Sequence, residues 1–351
     1  MIKSFYFLIL LIIIPALSNS QVIEYHTSIL SLRGPVLSVR TTAYEPVEEN
    51  GVIRKGELAK SGMSVDGLYT MNSYHKFNKQ GYVILSENYL VEKLRERRVY
   101  NWDSSNNIIN YKTYGFDYDS NFVLKEEDFF RYNLNNNLVE KINVQIPDSI
   151  VTKTIFRYDN HNNCIEEIVY SNSNSNHTYP DLDIVTKIIR KYDSDGNMIK
   201  KKFYNSYFKI SKEVLRYNRQ GQLIKKRRKF FRRKGAKSTM RYSYNEKGQL
   251  KETTVHDKGR DKWKKDQYEY DEFGNITLHI SNSFKNEEKT LTYKYDSFGN
   301  KTYKSYSSDK HDINAIKESI YEYDTKKNWT KRIDFINGKA TLIIEREFTY
   351  Y

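Results

Sequence analysis

The chain has 351 residues, with 58 lysines and arginines against 44 aspartates and glutamates, and a formal net charge of +14. Its one cysteine, Cys164, excludes an internal disulfide framework, so at this length a packed core must hold the fold. The positive charge points away from cationic partners and towards polyanions.

Lys3 precedes an apolar run at residues 5–16, and Ser18-Asn19-Ser20 places small residues before Gln21. Residues 1–20 therefore read as a secretory signal peptide. The run is shorter than the ~20 residues a membrane helix needs, and no later stretch is longer, so no transmembrane segment is expected after cleavage. No cysteine follows the run, which excludes a lipidated N-terminus. The expected location is outside the cytoplasm: periplasm, cell surface or secreted.

Residues 21–73 form a lead segment, with Leu30, Leu32, Val36 and Val39 on strands broken at Gly34-Pro35 and a hairpin turn at residues 48–51. Residues 48–62 read as a polar loop, whose turn at 48–51 could close a hairpin between Tyr44 and Val52, and the segment is expected to cap the repeats that follow.

From residue 74 to 351 one pattern recurs. Its clearest copy is Tyr268-Glu269-Tyr270-Asp271-Glu272-Phe273-Gly274-Asn275-Ile276. Tyr268 and Tyr270 share one face of an extended chain while Glu269 takes the other. Asp271 can hydrogen-bond the backbone ahead of it and Gly274 supplies a positive φ, so the chain reverses there. The second aromatic recurs at Tyr192, Tyr217, Tyr244, Tyr270, Tyr295, Tyr323 and Tyr350, at intervals of 25 to 28 residues. That period accommodates two strands and two turns, and predicts an antiparallel meander. The aromatic strand alternates cleanly; the outgoing strand is mixed, with Ile199 and Phe203 among Lys200, Lys201 and Lys202. The register favours strand over helix at residues 88–98, Tyr118 marks an irregular hairpin, and residues 171–179 form a polar loop.

The Y-x-Y-D-x-x-G-N-L pattern resembles the YD repeats of the RHS family, the bacterial rearrangement-hotspot proteins, and the opening Leu32-Arg33-Gly34-Pro35-Val36 resembles that of small secreted Bacteroidetes-type members. The resemblance covers roughly residues 75–351. It implies long β-sheets that curl into a spiral or shell, and several members are described as carbohydrate-binding. With no toxin domain after the last repeat, an open array is expected here instead of an enclosing shell. The fold class is thus all-β: an elongated antiparallel meander of tandem hairpins, as a curled sheet or open solenoid.

Charge concentrates at Lys225, Lys226, Arg227, Arg228, Arg232 and Arg233, and one repeat later at Arg260, Lys262, Lys264 and Lys265. Placed about the middle turns, both clusters would form one basic strip along a sheet edge, with acidic glycan, lipopolysaccharide or an envelope protein as partner. A solvated, aggregation-resistant edge is the plainer alternative. No fold that reads nucleic acid is visible. Tyr204, Tyr207, Tyr303 and Tyr306 lie off the repeated positions and are candidates for sugar contact.

No His-Glu-x-x-His or Gly-x-Ser-x-Gly motif occurs, and the seven histidines show no paired spacing. Asp193-Ser194-Asp195-Gly196-Asn197 resembles a calcium loop but lacks the later ligands, and turn chemistry accounts for it. No cofactor, metal or catalytic residue is assigned. The expected function is a non-enzymatic envelope or extracellular binding module; the alternative is a polysaccharide hydrolase, which would need two carboxylates ~5–10 Å apart.

Overall fold

The computed structural model describes residues 31–60, 72–146, 148–172, 182–206, 208–231, 236–259, 261–284, 287–309 and 315–351. The signal peptide, most of the 171–179 loop and Tyr207 lie outside the described residues.

The fold is built from the aspartate turn. Asp271 accepts at Oδ1 from the amides of Phe273 (3.0 Å) and Asn275 (2.8 Å), while the Gly274 amide donates back to the Asp271 carbonyl at 3.2 Å. Asn275 Nδ2 donates to Asp271 Oδ2 at 2.9 Å, so one carboxylate organises the whole reversal. Gly274 has a φ of 89°, and a Cβ there would meet Gln249 Nε2 at 3.3 Å. Asn136, Asn162 and Lys327 hold the equivalent place at φ of 57°, 62° and 65°. Exchanging Gly274 for asparagine is therefore expected to cost little, whereas Gly274→Val should cost ~1–3 kcal/mol in chemical denaturation, since a β-branched residue is strained at positive φ. Equal midpoints for the two variants would refute this.

Each turn is followed by a bulge. Tyr270 faces Ile276 but Glu269 faces Leu278, so Thr277 is passed over; likewise Tyr192 faces Met198 while Lys191 faces Lys200, passing over Ile199. The extra residue breaks the alternation on the outgoing strand, which is why that strand reads as mixed in the sequence. Neighbouring hairpins are then tied by the second aromatic of the repeat: the hydroxyls of Tyr244, Tyr270 and Tyr295 donate to the carbonyls of Leu223 (2.8 Å), Leu250 (2.7 Å) and Ile276 (2.9 Å).

In chain order the strands are β1 Val36–Glu49, β2 Val52–Leu58, β3 Asn72–Phe77, β4 Val83–Leu90, β5 Lys93–Trp102, β6 Ile108–Phe116, β7 Phe122–Tyr132, β8 Leu138–Gln145, β9 Ile150–Tyr158, β10 Cys164–Ser171, β11 Asp183–Tyr192 and β12 Met198–Asn205. They continue as β13 Phe208–Tyr217, β14 Leu223–Phe230, β15 Lys237–Tyr244, β16 Leu250–Asp257, β17 Lys262–Tyr270, β18 Ile276–Asn282, β19 Glu288–Tyr295, β20 Lys301–Ser308, β21 Ala315–Tyr323, β22 Trp329–Ile336 and β23 Lys339–Tyr350. Residues 88–98 fall on β4 and β5, as the register required, and residues 52–58 are strand where a polar loop was expected. Phe116-Asp117-Tyr118 opens an extra aspartate turn at the opposite end of the sheet, with Asp117 Oδ1 accepting from the Asn121 amide at 2.8 Å.

The meander does not stay open. β1 pairs with β23 from Val36↔Tyr350 to Tyr44↔Ile343, and with β3 from Ser38↔Lys76 to Thr41↔Ser73. First and last strands are thereby joined, and β2 extends the far half of β1 as a hairpin. The result is a closed antiparallel barrel of 22 strands, which corrects the expected open sheet or solenoid. The part of the lead segment that forms β1 is a strand of the wall. The physical reason is the edge: an open meander leaves two rows of unpaired backbone groups, and β1 satisfies both. The junction is also sealed by side chains. Val36, Val39 and Phe77 are almost wholly buried, with Phe348 and Tyr350 packed against them. Asn328 Nδ2 donates to the Arg33 carbonyl and to Tyr350 Oη, both at 2.8 Å, and its Oδ1 accepts from the Arg33 amide at 2.7 Å.

The wall is one layer thick, because substantial strand contacts are confined to hydrogen-bonded neighbours. The face carrying Tyr242, Tyr244, Tyr268, Tyr270, Tyr293 and Tyr295 is the crowded, concave one: Asp128, Asp266 and Asp334 share it and are almost inaccessible. The shared face expected for Tyr268 and Tyr270 is present and extends to the tyrosines of the neighbouring repeats. The convex face is mixed, with Phe129, Ile142, Ile155, Ile168 and Ile189 among charged residues. Glu140 there bridges Arg131 (2.9 Å) and Lys153 (2.5 Å), and Glu166 bridges Arg157 (2.6 Å) and Lys187 (2.5 Å).

Candidate functional site

Strand alternation decides where the basic residues go. Residues 225–229 and 262–265 lie inside β14 and β17, not at the middle turns, so successive residues point to opposite faces. Lys225, Arg227 and Lys265 are convex; Lys226, Arg228, Lys262 and Lys264 are concave. Arg232, Arg233 and Arg260 lie outside the described residues. The expected single strip is thus divided between the two sides of the wall. Three of the inward members have carboxylate partners: Lys226 and Arg228 reach Glu213 at 3.5 and 3.4 Å, and Lys264 reaches Asp266 at 3.0 Å.

What the structure assembles instead is a convex basic field on β12–β15. Cross-strand pairing aligns Lys202↔Lys212, Lys212↔Lys229 and Lys229↔Lys237, a row of four lysines on four consecutive strands. A second row runs Arg216↔Lys225↔Arg241, and Lys200 and Arg227 flank Val214 between them. No aspartate or glutamate shares this face of the four strands: the acidic residue of β13, Glu213, points inward. None of these outward cations makes an ion pair among the described residues. The crowding has an electrostatic signature. Lys212, with burial and then Lys202 behind it, pushes the Lys200 ammonium below its ordinary pKa, and Arg227 does the same to Lys225 with help from Arg241 and Arg216. Lys212, Val214, Arg227, Lys229, Lys237 and Thr239 border a shallow groove of ≈ 340 Å³, and the Phe231 ring carries Lys209 at 4.3 Å and Lys229 at 5.1 Å. Such an arrangement can hold a multiply charged anion against an apolar stem.

The sequence contained this signal. Lys229 and Lys237 belong to the charge cluster visible in the sequence, but Lys200, Lys202, Lys212 and Arg241 stand outside any such run, because the field is made by every second residue on four strands. Of the off-repeat tyrosines, Tyr204 and Tyr303 are convex and Tyr306 is concave. Asp193 Oδ1 is engaged by the amides of Asp195 (3.1 Å) and Asn197 (2.8 Å), which is turn geometry.

No protein-family profile matches the chain, and no curated protein matches it in sequence. Among solved structures it is similar to the TcdB2-TccC3-Cdc42 complex, at 12% identity and a TM-score of 0.32, covering 87% of this chain and 19% of that one. It is also similar to porin-like proteins from Bacteroides uniformis (10% identity, TM-score 0.29, covering 91% of this chain and 98% of that one) and Bacteroides vulgatus (9%, 0.20, 83% and 98%). The chain spans about a fifth of the toxin chain it matches.

Proposed function

We propose that this protein is an exported, non-enzymatic binding module of the cell envelope or extracellular space, and that the convex face of β12–β15 takes a linear polyanion such as an acidic glycan or the phosphorylated headgroup of lipopolysaccharide. The observation that carries this reading is the four-lysine row with no carboxylate on its face. Adjacent strands are ~4.8 Å apart, so the row sets its charges across ~15 Å, a span over which a charge-dense polymer can meet several at once. The hydrolase alternative needs a carboxylate pair in a cleft, and the convex groove has none on its border.

The same face bears on the solvent. A lipid-exposed barrel wall carries an apolar band, and each lysine or arginine at mid-membrane costs ~2–4 kcal/mol. With Lys200, Lys202, Lys212, Arg227 and Lys229 outward at mid-strand, the barrel is proposed to work in water, against the envelope instead of across it.

The test is retention on immobilised heparin and on lipid A vesicles. Triple reversal of Lys202, Lys212 and Lys229 to glutamate should abolish retention at 0.15 M salt, while reversal of the exposed Lys93 and Arg95 on β5 should shift it slightly. Wild-type affinity should fall steeply with salt, since binding releases condensed counterions. Equal losses from the two sets would mean that net charge alone governs retention.

A further inference from the structure

The concave side of the same strands holds a second feature, and the convex field plays no part in it. Between β11 and β14 the wall forms a cavity of ≈ 250 Å³ lined by Ile188, Lys201, Phe203, Ser211, Glu213 and Arg228. All six lie in one inward register: Ile188↔Phe203↔Ser211 along one row, Lys201↔Glu213↔Arg228 along the next. The cavity therefore opens to the lumen, with an apolar wall of Ile188 and Phe203 beside a charged wall one pair of residues away.

The charges in that wall do not balance. Arg190 is taken by Glu167, and Glu213 alone faces three cations: Lys226 at 3.5 Å, Arg228 at 3.4 Å and, across the strand without an ion pair, Lys201. Lys201 has neither an ion pair nor a hydrogen bond among the described residues. Burial, then the neighbouring Arg190, pulls its ammonium below the ordinary lysine range. Arg228 Nε is buried with no hydrogen-bond partner among the described residues, and Ser211 in the same lining is 2% exposed. A half-buried ammonium that makes no ion pair and a buried guanidinium Nε without a hydrogen-bond partner both border the same cavity. Each is costly unless something fills the space.

We infer that this cavity binds a small organic anion built on a saturated ring, a hexuronate-type acidic monosaccharide. The carboxylate pairs with Lys201 on the side away from Glu213, the ring rests on Phe203 and Ile188, and ring hydroxyls donate to Glu213 and exchange a hydrogen bond with Ser211. The volume supports one ring and no more, being below the ~300–1,000 Å³ of sites for larger ligands. Glu213, already shared by two cations, is the acceptor that makes a polyhydroxylated anion fit better than a bare one.

The experiment is titration calorimetry of the purified full chain with sodium glucuronate, glucose and sodium sulfate. Glucuronate should bind at least ten-fold more tightly than either of the others. Lys201→Met should weaken glucuronate at least ten-fold, and Ser211→Ala a few-fold. Lys201→Met should leave the melting midpoint unchanged or raised, because it removes an unpaired buried charge. The convex triple reversal should leave glucuronate binding intact, which separates this site from the polyanion surface. No heat with glucuronate, equal affinity for sulfate, or undiminished affinity in a folded Lys201→Met variant would each overturn the assignment.

Discussion

Replacing Val39 with aspartate is expected to open the barrel and to destabilise the protein by more than ~4 kcal/mol. Val39 is 1% exposed, pairs across β1 with both Phe348 and His75, and belongs to the cluster that seals the junction. A carboxylate there would be desolvated beside aromatic rings and across from His75, whose pKa burial and then Arg346 hold down at about 4, so that it stays neutral at pH 7. Burying a charge in place of a packed valine is among the most destabilising changes available to a core. The effect should also have a location. Hydrogen exchange should accelerate first in β1, β3 and β23, which lose a partner, and later in β12–β15. The exposed edges of β3 and β23 should then promote association between molecules, visible as a higher-mass species in size-exclusion chromatography. An open array with β1 as a removable cap would show neither the long-range loss of stability nor edge-driven association.

The second large effect is expected at Asp266. This carboxylate is 4% exposed on the concave face, where His279 Nε2 lies at 3.0 Å and Lys264 Nζ at 3.0 Å. Burial by itself raises its pKa, but hydrogen bonds from His279, Ser281 and Lys264 outweigh that and hold it down at about 2. The folded value is thus below the unfolded one of ~3.9, so the contribution is present above about pH 4 and is lost as the pH falls towards 2. Asp266→Ala should cost ~1–3 kcal/mol at pH 7, since it leaves the partly buried Lys264 and His279 without their acceptor, and much less at pH 2. Asp266→Asn keeps the shape and should show the same convergence from a smaller starting loss. A stability difference between wild type and Asp266→Asn that stays constant from pH 7 to pH 2 would show that the carboxylate's charge is not what matters.

Local chemistry made much of the fold legible in the sequence. Asp271, Gly274 and Asn275 are the residues an aspartate turn demands, and Tyr268 and Tyr270 share a face because extended chain has a period of two. Both statements need only near neighbours, and both hold in the structure. The bulges hid the outgoing strands: passing over Ile199 shifts Lys200, Lys201 and Lys202 onto the opposite faces from those a regular strand would give, a displacement visible only once its hydrogen bonds are known. The candidate surface was half legible for a related reason. Clusters at 225–229 and 262–265 stood out as runs, but a run along a strand is split between two sides of a sheet, whereas Lys202, Lys212, Lys229 and Lys237 are far apart in sequence and adjacent in space.

The sequence by itself determined the repeating unit, its turns and its aromatic face, because each is set by residues within one hairpin. Closure was decided only by tertiary structure. β1 carries no aromatic–aspartate marker that announces its partners, and nothing between Val36 and Glu49 states that Val39 will meet Phe348 at the far end of the chain. That pairing follows from the accumulated twist and bulging of twenty-one strands, which bring two unpaired edges within reach of one strand able to satisfy both. The same closure gives the wall an inside and an outside, and so separates the basic field of β12–β15 from the cavity behind it.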